Sequence, residues 1–305
     1  MNPTKKDEKG MVLLPVLVIV VLLTSLIVEF SFATFVQMRL AETFRDGTKA
    51  YYLAKGGVQA GRMMLQTDNN GYDSSDEMWG QSWDNLGVAD GAVSIRIEDL
   101  GGKLDVNRLV TNLGNVNVSL RDKFLRFFEQ LEIADGEELT DALIDWMDPD
   151  RDPRPFGAED EYYVREKGYA CKNGKLDSLA ELAMIRGFSA DVIDKIGSNL
   201  TLYGSERINV NTAGPEVLMS LSSEMTREAA SNIVEYRETN PFKQVTEVKD
   251  VPGLQEEIYF SIRPHIDVRS NFYHVNSTAG IGDAGKRIQA VIQKDKNQLL
   301  SFKVH

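Results

Sequence analysis

The densest chemistry in this sequence lies in "LIDWMDPDRDPRPFGAEDEYY", Leu143 to Tyr163. Asp145, Asp148, Asp150, Asp152, Glu159, Asp160 and Glu161 crowd one segment. Carboxylates at this density suit a hard cation such as calcium, which takes about six to eight oxygen ligands. Counted from Asp148, the acids Asp148, Asp150, Asp152 and Glu159 fall at positions one, three, five and twelve of a helix-loop-helix calcium loop. Position six is Pro153, not the glycine that the sharp turn of such a loop needs, so a calcium ion here would be wrapped differently. The candidate ligands are Asp148, Asp150, Asp152, Glu159 and Asp160. The same residues also fit a solvated acidic loop, pinned by Arg151, Arg154, Pro153 and Pro155 and by packing of Phe156, Tyr162 and Tyr163.

Other reactive residue types form no catalytic pattern, and no enzyme is expected. His265, His274 and His305 have no metal-ligand spacing. Cys171, the single cysteine, has neither a helix start nor a paired base beside it to activate a thiolate. "GIGDAG" at Gly280 lacks a following apolar helix and fits a hairpin turn. The formal net charge of -12 disfavours a phosphate backbone as partner.

The elements that would carry these residues begin with an apolar run from Met11 to Val28, about 27 Å long as a helix and enough to cross a bilayer. Lys5, Lys6 and Lys9 precede it, which places the short N-terminus on the cytoplasmic side. No proline follows until after Gln66, and Tyr51, Ala54, Val58, Gly61 and Leu65 keep helical spacing, so one long helix is expected. Gly56-Gly57 would weaken it unless a close neighbour needs the small residue. Asp68 to Asp90 reads as a loop. Val93, Ile95 and Ile97 alternate as a strand, with a hairpin at Gly101-Gly102 before Lys103 to Asn107. Further strands are expected near Phe272 to Ser277, Lys286 to Gln293 and Leu299 to Val304. Between them, Leu109 to Asp267 is largely helical. Its helices include one capped by Ser119, one through Leu179, Leu182 and Ile185, and one started by Pro215 with Asn211 or Thr212 as cap. "GKLDVNRL" at Gly102 resembles "ERINVNTA" at Glu206, and "LDSLAELAMIRGF" at Leu176 resembles "FKQVTEVKDVPGL" at Phe242, which implies two related helical modules.

In order, the leader ending in Gly10, the apolar helix, "AYYLAKGGVQAG", "IEDLGGKLDVNRL", the acidic segment, "NGKLDSLAELAMIRGF" and "INVNTAGPEVL" resemble the K component of bacterial type II secretion systems, a minor pseudopilin. That resemblance implies an α+β pseudopilin fold: a long N-terminal helix packed on a small antiparallel sheet, with a large helical insertion holding two helix-hairpin-helix or SAM-like modules. The implied divisions are a prepilin leader over 1–10, a transmembrane helix over 11–28, the pseudopilin helix and first strands over 29–108, the insertion over 109–267 and the closing strands over 268–305. It also implies cleavage between Gly10 and Met11 by a prepilin peptidase, methylation of the new Met11 amine, calcium in the insertion of at least some members, and other minor pseudopilins as partners at an inner membrane. Most pilin-like proteins carry a glutamate five residues after the cut; here that position is Pro15, a departure that agrees with a place at the filament tip.

Residues Ile208 to Leu254 also resemble the helix-hairpin-helix modules of competence-type DNA receptors, and a membrane-anchored DNA receptor of a competence or pilus system is the alternative reading. Phosphate binding by such modules uses glycine-rich hairpins whose backbone N–H groups face the ligand. Here the hairpins are Ser222-Ser223-Glu224-Met225 and Val251 to Glu257, with acids where phosphate would sit. Nucleic acid is therefore not an expected partner.

Overall fold

A computed structural model describes residues 13–305. Helix α1 (Leu13–Thr67) runs unbroken for 55 residues, about 80 Å. Its first half is uncovered, and its second half buries Ala50, Ala54, Gly57, Val58, Gly61 and Leu65 against a sheet. The sheet is antiparallel, built from β1 (Trp83–Val88), β2 (Gly91–Asp99), β7 (Phe272–Ile281), β8 (Ala284–Gln293) and β9 (Gln298–Val304) in that spatial order. Val93, Ile95, Ile97, Tyr273, Val275, Ile288, Ala290 and Ile292 alternate onto the α1 side, and Trp79 meets the Tyr273 ring edge-on at 5.1 Å.

The glycine pair in α1 divides by face. A Cβ on Gly57 would fall 2.2 Å from Ser277 Oγ and 3.0 Å from Val93 Cγ2, whereas Gly56 faces open space. Helix and sheet approach through Gly57, and Gly61 repeats the contact against Val275 and Ile97.

Two stretches depart from the sequence reading at this sheet. Gly101-Gly102 is not a hairpin: after Asp99 the chain leaves the sheet, and the short strand β3 (Leu104–Asp105) pairs in parallel with β4 (Leu200–Thr201). The expected loop from Asp68 to Asp90 contains edge strand β1. Its Asp84, Asn85 and Gly87 are weak strand formers, and Asn85 takes a positive φ at a register shift, so no alternation marks it.

Between β2 and β7 lie two modules of the same plan. The first runs β3, α2 (Val118–Gln130), α3 (Gly136–Met147), α4 (Asp160–Glu166), a 3-10 turn Leu179–Met184, α5 (Ala190–Ile196) and β4. The second runs β5 (Ile208–Asn209), α6 (Pro215–Ser220), α7 (Arg227–Thr239), a 3-10 turn Val245–Asp250, α8 (Glu256–Ile262) and β6 (Ile266–Asp267), with β5 parallel to β6. In each, the 3-10 turn carries a capping box, Ser178 with Glu181 and Gln244 with Glu247, followed by a positive-φ glycine, Gly187 or Gly253. The α-helix expected at Leu179 is this 3-10 turn, which ends after six residues where Ile185 takes an extended backbone. The modules differ between second helix and turn: the first spends Met147 to Ser178 there, the second only Thr239 to Gln244. That extra length is the acidic segment. One apolar core, from Leu104 to Val268, spans both modules.

Local capping also differs from expectation. The α2 cap is Asn117, whose side chain accepts from Leu120 N at 3.2 Å, because Ser119 already lies inside the helix. Helix α6 starts at Pro215 after Gly214 with no side-chain cap, since Asn211 and Thr212 are engaged elsewhere. Asn211 brackets Phe242, donating to its carbonyl and accepting from its N–H at 2.8 Å each.

Gly56→Ala is expected to stabilise the head by up to about 1 kcal/mol, since it improves helix propensity without a contact. Gly57→Ala should cost roughly 1–3 kcal/mol by overpacking. Thermal unfolding of the two variants in detergent checks the opposite signs.

Candidate functional site

The acidic segment is built around Asp145, a fully buried residue of α3. After α3 the chain turns back over it, and Arg154 N donates to Asp145 Oδ2 at 3.0 Å. Gly157 passes so close that a Cβ there would overlap Asp145 Oδ2. Only glycine permits this crossing. A second strap closes the far side: Cys171 Sγ donates to the Asp145 carbonyl, Asn173 Nδ2 donates to the Asp150 carbonyl at 2.8 Å, and Gly174 N reaches the Trp146 carbonyl. Trp146, Tyr163 and Tyr169 pack beneath with ring centroids 5.0–6.2 Å apart. None of these straps has a sequence signal, because each is a long-range contact made by a backbone group or a small side chain.

The straps bring three of the expected ligands together. One oxygen each of Asp148, Asp150 and Glu159 lies within 4.8 Å of the others, with Asp148 and Glu159 buried and Asp150 exposed. Asp148 ends α3 and Glu159 precedes α4, so two helix boundaries aim the carboxylates at one point. Asp152 lies outside the cluster, its N–H donating to Asp150 Oδ1 at 3.0 Å. Asp160 also lies outside it, accepting from Cys171 N at 2.8 Å and facing Arg151 at 3.8 Å. Residues 160–166 form helix α4 where a loop was expected, which turns the Asp160 carboxylate toward Cys171.

The cluster is short of positive charge. Asp148 Oδ1 and both Glu159 carboxylate oxygens are buried without a hydrogen-bond partner. Burial first, then repulsion from Asp150 and Asp145, pushes the Asp148 carboxyl up to about 7. Burial, with Asp145 and Asp148, does the same to Glu159, also to about 7. Arg154 is the nearby cation, but its guanidinium is turned to Asp145 and Asp141 at 3.9 and 4.0 Å. Three carboxylates binding through both oxygens offer about six ligands, the lower end of what calcium takes. Orphaned buried oxygens and a hard donor set fit a divalent cation of that kind. The Cys171 thiol is pushed up to about 12 by burial and stays protonated, so it supplies no thiolate.

A second acidic group, Asp68, Asp73 and Glu77, is already neutralised. The Lys294 ammonium sits 2.7 Å from both Asp68 and Asp73, and Glu77 accepts from Ser74 N and Trp79 Nε1. At the other end of the molecule, α1 is long and apolar enough to cross a membrane, with no part of its apolar window buried. Pro15 lies in the first described turn of α1. Gly10 and Met11, the expected processing point, lie outside the described residues.

In the second module the two hairpins join α6 to α7 and the 3-10 turn to α8. Gly253 supplies the positive φ of the second, while Glu224, Glu256 and Glu257 are exposed on the hairpins. Carboxylates there oppose a phosphate.

Comparison with known proteins adds the following. A family model described as type II secretion system (T2SS), protein K, matches residues 102–205, and a helix-hairpin-helix motif model matches residues 204–267. The type II secretion system protein K of Klebsiella pneumoniae is 26% identical over 94% of this chain and 93% of its own. That of Aeromonas hydrophila is 26% identical over 98% and 96%. A chain in the crystal structure of the GspK-GspI-GspJ complex from the type 2 secretion system of enterotoxigenic Escherichia coli superposes with a TM-score of 0.67 at 15% identity. The match covers 89% of this chain and 99% of that one, a likeness of fold.

The raised Asp148 and Glu159 values set a pH dependence. The folded state holds their protons up to about pH 7, while the unfolded chain releases them near 4, so stability falls as pH rises through that window. Glu98 slopes the other way but lower down, since the His274 ring 3.9 Å away and the Lys103 ammonium beside it hold its carboxyl at about 2. In chelator, the Asp148→Asn, Glu159→Gln double variant should unfold at a higher temperature than the parent at pH 8. The gap should shrink toward pH 5. A gap independent of pH would show that the two carboxylates do not titrate as a buried pair.

Proposed function

We propose, from its likeness to type II secretion system protein K along nearly its whole length, that the chain belongs to that family and is the minor pseudopilin at the tip of the pseudopilus, helping to initiate assembly for protein export across the outer membrane. The carrying observation is α1, a single helix continuous from the uncovered apolar span into the sheet-packed head, with no carboxylate between Leu13 and Val28. A pilin-like subunit recruits the neighbour above it by pairing a membrane glutamate with that neighbour's N-terminal amine. Pro15 offers no such partner, so this subunit can dock onto others and attracts none above itself. The two inserted modules enlarge the head beyond what a repeating shaft subunit accommodates, which supports the same placement.

The prepilin peptidase cuts between Gly10 and Met11, the apolar helix stays in the bacterial inner membrane, and the head lies in the periplasm. Other minor pseudopilins pack along α1 and against the head. The subunit is structural and catalyses no reaction. Calcium, held by Asp148, Asp150 and Glu159, replaces the missing positive charge in the first module and orders the strap from Asp148 to Glu159. The acidic hairpins leave the helix-hairpin-helix architecture as scaffold and not as a nucleic-acid site.

Two experiments test this reading. N-terminal sequencing of membrane-extracted protein should begin at Met11, and an epitope tag placed in the insertion should label one end of assembled filaments. Labelling along the shaft, or a chain beginning at Met1, would refute the tip assignment. For the cation, a free calcium concentration of 100 times Kd should raise stability by about 2.7 kcal/mol through binding the folded state alone. Asp148→Asn, Asp150→Asn, Glu159→Gln should remove that response. A calcium response that survives the triple substitution would place the site elsewhere.

A further inference from the structure

Where the two helical modules meet, a cavity of about 240 Å³ is lined by Arg108, Asn117, Ser119, Lys123, Ser205 and His265, among others. It opens at the first turn of α2. The Asn117 side chain caps one N–H there, and the remaining N–H groups of that turn have no intrahelical acceptor. Helix N-termini favour anions, because those N–H groups and the helix dipole both present positive charge.

Lys123 is the second and independent observation. It stands one turn along α2 from Ser119, is only 4% exposed, and lines the cavity. No hydrogen bond or ion pair to its ammonium occurs among the described residues; burial and Arg126 pull its pKa down to about 8, and only Glu206 acts in the opposite direction. A buried lysine without a partner costs several kcal/mol unless something neutralises it.

The other charges around the cavity do not do so. Arg126 directs its guanidinium to the Ser220 and Leu221 carbonyls at the end of α6. His265 is lowered by burial and by Lys123 and Arg126. Asp105 lies in the wall, but its oxygens already accept from Asn107 N at 3.0 Å and Gly204 N at 2.9 Å. Glu206 is exposed. The cavity wall thus sets Arg108, Lys123 and His265 against Asp105, whose oxygens are already engaged, and Glu206, which is open to solvent.

We propose that this inter-module cavity binds a small free oxyanion of the phosphate or carboxylate class, held by the Lys123 ammonium, the Ser119 hydroxyl and the N–H groups that open α2. An oxyanion fits these donors better than chloride does, because they approach from different directions and its several oxygens accept them separately. The bound anion joins the first module, through α2, to the second, through His265.

The test uses the full-length chain in detergent with chelator present, its unfolding followed by tryptophan fluorescence. Sodium phosphate, sodium acetate and sodium chloride are compared at equal ionic strength. Phosphate or acetate at millimolar concentration should raise the melting temperature by a few degrees above chloride, and the stronger of the two names the class. Lys123→Met, which keeps the aliphatic stem, should unfold in chloride at or above the parent temperature and lose the anion response. Ser119→Ala should weaken the response several-fold, and the His265 ring should titrate at higher pH with anion bound. A response equal to chloride in the parent, or one retained by Lys123→Met, would overturn the proposal. If Lys123→Met does not fold, an Ser119→Ala response equal to the parent's would overturn it instead.

Discussion

Asp99 is the last residue of β2 and is sealed from solvent, yet no cation among the described residues pairs with it. Its carboxylate accepts from Gly101 N at 2.7 Å, Ser270 Oγ at 2.7 Å, Asn209 Nδ2 at 3.0 Å and the Thr212 hydroxyl. Those donors come from the exit of the sheet, the return to it and the start of the second module. Asn209 also donates to the Asp73 carbonyl, and Asp73 accepts from Ser270 N and the Tyr273 hydroxyl. Burial pushes the Asp99 carboxyl above the usual carboxylate range, and the four donors pull against it. Short side chains with fixed hydrogen-bond directions make this joint. Long flexible ion pairs would hold the charges but not the angle, so the head and its insertion are fixed to each other by geometry.

The joint also explains how so long an insertion is tolerated. The chain leaves the sheet after Asp99 and returns at Phe272, and Leu100 N donates to the Phe272 carbonyl at 2.9 Å. Exit and return are neighbours on adjacent strands. Everything between them can therefore fold as its own unit, with a core from Leu104 to Val268 that needs no contribution from α1. The parallel pairs β3–β4 and β5–β6 close each module on itself in the same way at smaller scale.

Legibility in the sequence follows the range of the interaction responsible. Helix α1 and strands β7 and β8 are readable because burial of one face imposes a period along the chain. The module repeat is readable because its capping boxes and glycines are local backbone requirements that recur in both copies. Edge strand β1 is not readable, since an exposed strand needs no apolar alternation. Asn211 and Thr212 look like helix caps because their types allow it. Only the tertiary arrangement shows Thr212 and Asn209 on Asp99, and Asn211 on Phe242. In the acidic segment the spacing brings out Asp148, Asp150 and Glu159. Asp152 satisfies the same spacing but lies outside the cluster, and Asp160, a candidate by its place in the acidic run, is turned to the Cys171 N–H by the start of α4, which no periodicity marks.

Function follows from where the charge imbalance is stored. The joint at Asp99 and the ion pair of Lys294 with Asp68 and Asp73 are satisfied internally, so the charges beside the sheet and the end of α1 are balanced within the chain. The insertion differs. Its first module carries orphaned carboxylate oxygens where the second module has only a short connection, and the seam between the modules carries Lys123, a buried residue whose ammonium meets no partner among the described residues. Both imbalances lie in the insertion between β2 and β7. Uncompensated charge makes that part of the molecule the one whose stability depends on the ions around it, whereas the charges beside the sheet are balanced within the chain.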